Sequence, residues 1–309
     1  MRILAATDFS TRSQRAVRRA GILARDTRAE LLLLHVVGNV RAGSTDADMR
    51  EAQRMLAEQV TGVPELAGLR VRPLVAAGSP GETILETAVA HGAGLVVLGR
   101  PRKRLFGAVG RTIKAVLQDG PYPVLIVNGE ANGPYAKALA PVDLSDVSAK
   151  ALRGASALGL IGQADVTVVH AFAALAKGKL SQVGVVRERI ADYVNMARAQ
   201  AGHELAVFLA AVGLHDQGWS ARVEEGSPLA VITRAVGDTS PDLLVMGTHG
   251  RSGLGKALLG SITEEVLRVV DVDVLAIPPV RPAITQPAFI RASAARRASS
   301  RDGMRAGAR

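Results

Sequence analysis

The feature that most constrains this chain is a long-range internal repeat. A Gly-Ser-Pro segment at residues 78–80 returns at 226–228, and the apolar run that follows it returns with the same shift of 148 residues. Nearer the beginning, Asp8 is matched by Asp143, a shift of 135 residues. The two shifts differ by 13, which indicates a 13-residue insertion in the second copy. A repeat of this length predicts two copies of a whole domain and not a solenoid of short units.

Each copy alternates short apolar runs with amphipathic stretches. Apolar strands that alternate with helices are typical of an α/β fold, in which a parallel sheet is covered by helices on both faces. We predict strands at residues 3–7, 31–37, 69–75, 95–98 and 124–127, and again at 137–142, 165–171, 220–224, 242–246 and 273–277.

Serine residues mark the beginnings of several predicted helices. Ser10 and Ser145 are expected to act as N-caps, as is Ser79, which Pro80 follows at the first helical turn. Glu82 stands three residues after Ser79 and would complete a capping box. The insertion should lengthen the second helix of the second copy to roughly residues 181–212.

Composition narrows the class of protein. The chain has 309 residues, enough for two domains, and no cysteine, which excludes disulfides, thiolate metal sites and a cysteine nucleophile. The first apolar run begins too early for a cleaved signal, and no run approaches the roughly 20 residues that span a bilayer. We therefore expect a cytoplasmic protein that does not interact with membranes.

The net charge of +10 is concentrated near the C-terminus. Residues 281–309 contain seven arginines and one acidic residue, so the remainder carries only +4. A segment of arginine, alanine, serine and glycine with little to bury is expected to be disordered. We therefore predict domains at 1–130 and 135–280, then a basic disordered tail at 281–309, and we do not expect nucleic acid as a partner.

A glycine-rich segment in the second copy is the strongest functional signal. Gly247, Gly250 and Gly260-Ser261 form the pattern Gly-x2-Gly-x9-Gly-Ser between an apolar run and a helical pattern. Glycines permit positive φ and a close approach of the backbone, and the N–H groups at a helix start point toward an anion. The pattern predicts a phosphate site in which the Ser261 hydroxyl adds a further hydrogen bond.

Other readings of these residues fit less well. Gly250 to Lys256 approaches the P-loop signature, but Ala257 follows where a serine or threonine would bind magnesium. The histidines lack the spacing of a metal site. Asp143, at a strand end, is more typical of a hydrogen-bond acceptor than of a general base. We predict no catalytic residue, no metal ligand and no enzyme.

The order of elements, the Pro-Val-Asp segment at 141–143 and the Gly-x2-Gly-x9-Gly-Ser loop resemble the universal stress protein family. The resemblance covers about residues 1–280 as two tandem family domains. It implies a Rossmann-like, five-stranded parallel sheet of order 3-2-1-4-5 in each domain, with helices on both faces. Ligands of such sheets sit where the strand order reverses, and many members of the family bind ATP.

The resemblance also implies a set of nucleotide-binding residues in the second domain. The adenine end would meet the 141–143 segment and position 171, the ribose would lie near Gly247, and the phosphates would meet the glycine-rich loop and the helix that follows. Lys256 would either reach the terminal phosphates or remain a solvated loop lysine. The implied residues are Pro141, Val142, Asp143, Ala171, Gly247, His249, Gly250, Lys256, Gly260, Ser261 and Ile262.

The first copy departs from this pattern. Arg102 replaces the second glycine, the loop is two residues shorter, and Arg111 stands where serine is expected. Arg111 would either fill the phosphate position or bind an anion itself. We therefore expect a degenerate nucleotide site in the first domain, with another anion or a protein surface as the alternatives.

The resemblance and the loop predict a stress-response regulatory protein that binds ATP, with or without magnesium, in its second domain. An interaction scaffold with a vestigial site and a slow ATPase remain the alternatives. The expected partners are an adenine nucleotide and unidentified regulatory proteins. The fifth strands of the two sheets are apolar edges and are expected to pair within the chain; a homodimer of the whole chain stays open.

Overall fold

The computed structural model describes residues 1–38, 45–100, 109–213, 218–248 and 259–279. Their strands are β1 (Arg2–Thr7), β2 (Glu30–Val37), β3 (Val71–Ala77), β4 (Leu95–Gly99), β5 (Val124–Val127), β6 (Lys137–Val142), β7 (Asp165–Phe172), β8 (Ser220–Glu225), β9 (Leu243–Gly247) and β10 (Asp273–Ile277). Their helices are α1 (Thr11–Asp26), α2 (Thr45–Gly62), α3 (Pro80–His91), α4 (Arg111–Asp119), α5 (Asp146–Ala157), α6 (Lys177–Gln182), α7 (Arg187–Val212), α8 (Pro228–Thr239) and α9 (Ser261–Val269).

These strands form one sheet in the order β3-β2-β1-β4-β5-β10-β9-β6-β7-β8. Each copy has the order 3-2-1-4-5 and parallel pairing, so the α/β fold expected from the repeat is confirmed. The copies join where β5 and β10 pair antiparallel, with Leu125 opposite Leu275. The predicted pairing of the fifth strands is therefore confirmed.

Two apolar layers cover the sheet. Helices α1, α2, α5 and α7 contribute to one buried cluster, and α3, α4, α8 and α9 contribute to the other. Because both faces are covered, strands such as β2 and β4 are almost continuously apolar, as is usual for parallel sheets. Among the described helices, none is long and apolar enough to cross a membrane.

Two local predictions about helices were wrong in detail. Ser79 is the N-cap of α3, but its side chain makes no capping hydrogen bond, so the capping box with Glu82 does not form. Helix α3 begins instead with the ordinary first helical hydrogen bond, in which the Thr83 N–H donates to the Ser79 carbonyl at 2.9 Å. The long helix predicted from residue 181 is divided into α6 and α7, since Gly184 adopts a left-handed φ of 76° between them.

A buried charged network secures the segment between the copies. The Asp273 Oδ1 atom accepts hydrogen bonds from the N–H groups of Asn128 (2.8 Å) and Gly129 (2.9 Å). Its Oδ2 atom accepts from the Tyr135 hydroxyl at 2.7 Å and lies 3.3 Å from Nε of Arg19. Burial, with the nearby Asp273 carboxylate, raises the pKa of Tyr135 well above its ordinary value, so the phenol remains a donor.

Candidate functional site

The second copy contains a cavity of about 440 Å³ at the carboxyl ends of β6 and β9. The strand order reverses between these two strands, which is where open α/β sheets bind ligands. All the residues predicted from the sequence that lie in the described ranges line this cavity: Pro141, Val142, Asp143, Ala171, Gly247, Gly260, Ser261 and Ile262. His249, Gly250 and Lys256 lie outside the described residues.

The apolar wall of the cavity was not predicted. Val231 and Ile232 from α8, with Met246 from β9, are buried and line the same space. The repeat carried a signal for one of them, because Ile84 in the first copy is the counterpart of Ile232 and lines the first copy's cavity. These side chains give the cavity an apolar surface that suits a flat ring.

The Asp143 carboxylate is held in one orientation by the turn that follows β6. Its Oδ1 atom accepts hydrogen bonds from the Ser145 N–H (3.1 Å), the Ser145 hydroxyl (2.5 Å) and the Ser148 hydroxyl (2.5 Å). Leu144 supports this turn with a positive φ of 61°. Ser145 is also the N-cap of α5, accepting a hydrogen bond from the Ser148 N–H, as predicted.

His170 shapes the edge of the cavity. Its Nδ1 atom lies 2.8 Å from the Val142 carbonyl, so the ring joins the ends of β7 and β6, and the residue is only 9% exposed. Within the described part of the chain, no cluster of three or more histidine, aspartate or glutamate side chains has the arrangement of a metal site. His170 therefore contributes to the wall of the cavity.

The cavity also meets the beginning of α9. Gly260 is the N-cap of α9, and no side chain caps this end in the described structure. The first N–H groups of a helix have no acceptor within it, so the amides of Ser261, Ile262 and Thr263 are available as donors. The Thr263 hydroxyl instead donates to the Gly247 carbonyl at 2.9 Å, which ties α9 to the end of β9.

Gly260 differs in two ways from the sequence expectation. Its φ of −57° and ψ of 137° suit any residue, so backbone conformation does not require glycine at this position. Its N–H group already donates to the Thr248 carbonyl at 2.8 Å, and is therefore not a free amide for a phosphate. The remaining reason for a glycine at position 260 is that a residue without a side chain leaves space at the cavity wall.

The first copy has a cavity of about 460 Å³ at the equivalent place. The Asp8 Oδ1 atom accepts from the Ser10 N–H (3.1 Å) and hydroxyl (2.6 Å), and His35 Nδ1 lies 2.8 Å from the Thr7 carbonyl. Phe9, with a φ of 61°, stacks on the His35 ring at 4.4 Å. The carboxylate turn and the contact between a histidine and a strand-end carbonyl therefore recur in both copies, while the ring stack belongs to the first.

Comparison with known proteins decides the family. The family model described as "Universal stress protein family" matches residues 1–128 and 134–278. The chain belongs to the universal stress protein family. Its two matched segments are tandem universal stress protein domains; the exact boundaries at 130 and 135 stay a prediction.

Two curated universal stress proteins from Methanocaldococcus jannaschii are similar to one half of this chain. MJ0531 is 29% identical over 157 residues, covering 50% of this chain and 86% of its own length. MJ0577 is 25% identical over 153 residues, covering 46% of this chain and 94% of its own length. The crystal structure of a universal stress protein from Archaeoglobus fulgidus covers 90% of this chain and 98% of its own, with 19% identity and a TM-score of 0.67. That likeness shows the fold.

One cation of the first universal stress protein domain has a role that the sequence did not reveal. Arg100 directly follows β4 and precedes the altered loop of the first copy. Its guanidinium group instead donates to the carbonyls of Val270 and of Arg268 (3.0 Å), and lies 3.2 Å from the Asp271 carboxylate. Arg100 thus caps the C-terminal end of α9 in the other domain, where a cation is favoured.

Proposed function

We propose that the second domain binds ATP and that the protein acts as a nucleotide-dependent regulator in a stress response. The observation that carries this proposal is the meeting of three features in one cavity: an apolar wall, an oriented carboxylate and the uncapped N-terminus of α9. The volume of about 440 Å³ lies in the range of small-molecule sites.

The adenine ring is proposed to lie in the apolar part of the cavity. Ile232, Val231 and Met246 offer the surface against which a flat base packs. Asp143 stands at the end of β6 beside Ala171, where its carboxylate is suited to accept a hydrogen bond from an amine or a hydroxyl group. The three donors on Oδ1 hold the carboxylate in place before any ligand arrives.

The phosphates are proposed to lie at the beginning of α9. The amides of Ser261 and Ile262 and the Ser261 hydroxyl would donate to phosphate oxygens, and the helix dipole favours negative charge here. Gly250 and Lys256 complete the proposed site from outside the described residues. Where magnesium accompanies ATP, phosphate oxygens and water are its expected ligands.

A regulatory role follows if occupancy at α9 changes a surface that partners recognise. The same helix begins at the cavity and ends at the carbonyls bound by Arg100 of the first domain. A nucleotide at its N-terminus therefore acts on a helix that both domains contact. The proposal is one of binding and not of turnover, and phosphate release above background that requires Asp143 would contradict it.

The variant Gly260→Val tests the proposed site. The backbone conformation at Gly260 accepts valine, but the branched side chain would occupy the space intended for phosphate, so ATP binding should fall below detection. Gly110→Val is the matched control, because Gly110 is the N-cap of α4 with nearly the same conformation (φ −56°, ψ 144°) in the first domain. Isothermal titration with ATP should show loss only for Gly260→Val. Equal ATP affinity in both folded variants would remove α9 from the site.

A further inference from the structure

The cavity of the first domain carries positive charge where that of the second does not. Arg12, at the beginning of α1, and Arg111, at the beginning of α4, both line the first cavity. The repeat places Val147 and Ser261 at the equivalent positions. The two cavities differ little in volume, so the substitution of two arginines changes the charge of the first one and does not close it.

The two arginines are available to a ligand. Both residues are exposed, and neither forms an ion pair or a side-chain hydrogen bond with any residue in the described ranges. Arg100 also borders this cavity, but its guanidinium group is bound to the end of α9. Arg111 is also the first residue of an uncapped helix, so its guanidinium group and the helix N-terminus favour an anion in the same place.

The other end of the first cavity keeps the features of a nucleoside site. Burial alone would raise the pKa of Asp8, but hydrogen bonds from Ser10 and Ser13 outweigh that effect and the pKa lies below its ordinary value. The carboxylate is therefore an acceptor at neutral pH. Ile84 and Leu98 are buried and give the cavity its apolar wall.

We infer that the first domain binds a nucleoside monophosphate, held through its single phosphate by Arg12 and Arg111. Guanidinium groups bind phosphate with two donors each. A phosphomonoester carries a charge of about −1.5 to −2 at pH 7, which two arginines match. A triphosphate carries more charge and would need donors along a longer path, and the loop in this domain is two residues shorter than in the second.

The experiment is titration of the full chain with AMP, with adenosine and inorganic phosphate as the separate halves of that ligand. The test variant is Arg12→Ala/Arg111→Ala. Its charge-matched control is Arg50→Ala/Arg54→Ala, which removes two cations from α2, outside the cavity lining. The test variant should lose at least about thirtyfold in AMP affinity, since each arginine makes charged hydrogen bonds, and the control should keep the affinity of the original chain.

Three outcomes would overturn the inference. These are no AMP binding up to about 10 mM, equal AMP affinity in the folded Arg12→Ala/Arg111→Ala variant, or inorganic phosphate bound as tightly as AMP. Circular dichroism establishes folding, and Arg12→Gln/Arg111→Gln repeats the test with a milder change in shape. If only Gly260→Val abolishes AMP binding, the monophosphate occupies the second domain and the inference fails as well. ATP affinity is measured in the same variants, so failure of the second site is seen separately.

Discussion

The two domains of this chain share a fold and an orientation of strand-end side chains, yet they differ sharply in charge at a few positions. Four of the arginines of the first domain that stand opposite neutral residues lie at the junction or at the first cavity: Arg12, Arg19, Arg100 and Arg111 against Val147, Gly154, Thr248 and Ser261. Arg19 and Arg100 contact the second domain, and Arg12, Arg100 and Arg111 line the first cavity. At these positions the divergence of the copies changes the charge of the junction and of the cavity.

The junction also shows why an arginine at one of these positions in the first domain has no counterpart in the second. Arg19 lies in a buried place beside Asp273, but a side chain at its counterpart Gly154 would bring a Cβ atom to 2.8 Å from the Ile277 Cδ1 atom. A side chain at that position would require the end of the Ile277 side chain to move. The network around Asp273 is consequently a property of one copy, even though the elements that carry it are repeated.

The largest expected effect concerns this network. Asp273→Ala would leave the buried Arg19 guanidinium group and the Tyr135 hydroxyl without their partner, and should cost about 3–5 kcal/mol of unfolding free energy. Asp271→Ala is the control, because its carboxylate is 63% exposed and an exposed pair contributes about 0–1 kcal/mol. Urea denaturation measures both. Similar losses of unfolding free energy in the two variants would mean that the buried Arg19–Asp273 pair is no more important for stability than the exposed Arg100–Asp271 pair.

An intermediate effect would sharpen the comparison between the cavities. Ser261→Ala removes one hydroxyl donor to the proposed phosphate and should weaken ATP binding by about 1.5–3 kcal/mol, the usual range for a hydrogen bond to a charged group. Arg111→Ala, at the equivalent position of the first domain, should leave ATP affinity unchanged. Titration of both variants with ATP provides the measurement. A greater loss of ATP affinity in Arg111→Ala would show that ATP binds in the first domain and that the proposed site is wrong.

The smallest effect concerns the pH dependence of stability. Because the pKa of Asp8 is lowered by folding, its carboxylate stabilises the native state above the unfolded value of about 3.9. This stabilisation is lost as the pH falls through the folded pKa. The difference in unfolding free energy between the original chain and Asp8→Asn should therefore shrink from pH 6 toward pH 3. A difference that stayed constant over this range would show that the Asp8 carboxylate does not contribute through its charge.

Much of the fold was predictable because the pattern of apolar runs is strong and occurs twice. The strands at 124–127, 137–142 and 273–277 begin and end as predicted. The capping box predicted at Ser79 does not form, because a sequence motif does not fix the direction of the hydroxyl group. The division between α6 and α7 was not predicted, because the stretches on either side of Gly184 have a similar apolar periodicity.

The candidate site was predictable where residues adjoin strand ends, and less so where it depends on long-range contacts. Asp143 and Ser261 could be placed because each follows a recognisable strand or precedes a helix. The destination of Arg100 depends on how α9 of the other domain lies, which no local pattern encodes. The Arg19–Asp273 pair carried little signal, because Arg18 adjoins Arg19 and Asp271 stands two residues from Asp273, so the sequence does not tell which charge is buried.

The antiparallel union of β5 with β10 has a further consequence. Two identical chains joined in this way would dissociate on dilution, and every mutation would appear in both of them. Within a single polypeptide the halves always occur in a one-to-one ratio, and the effective concentration of one for the other is independent of expression level. A substitution in one half is then not imposed on the other, so each half can acquire residues that the other lacks.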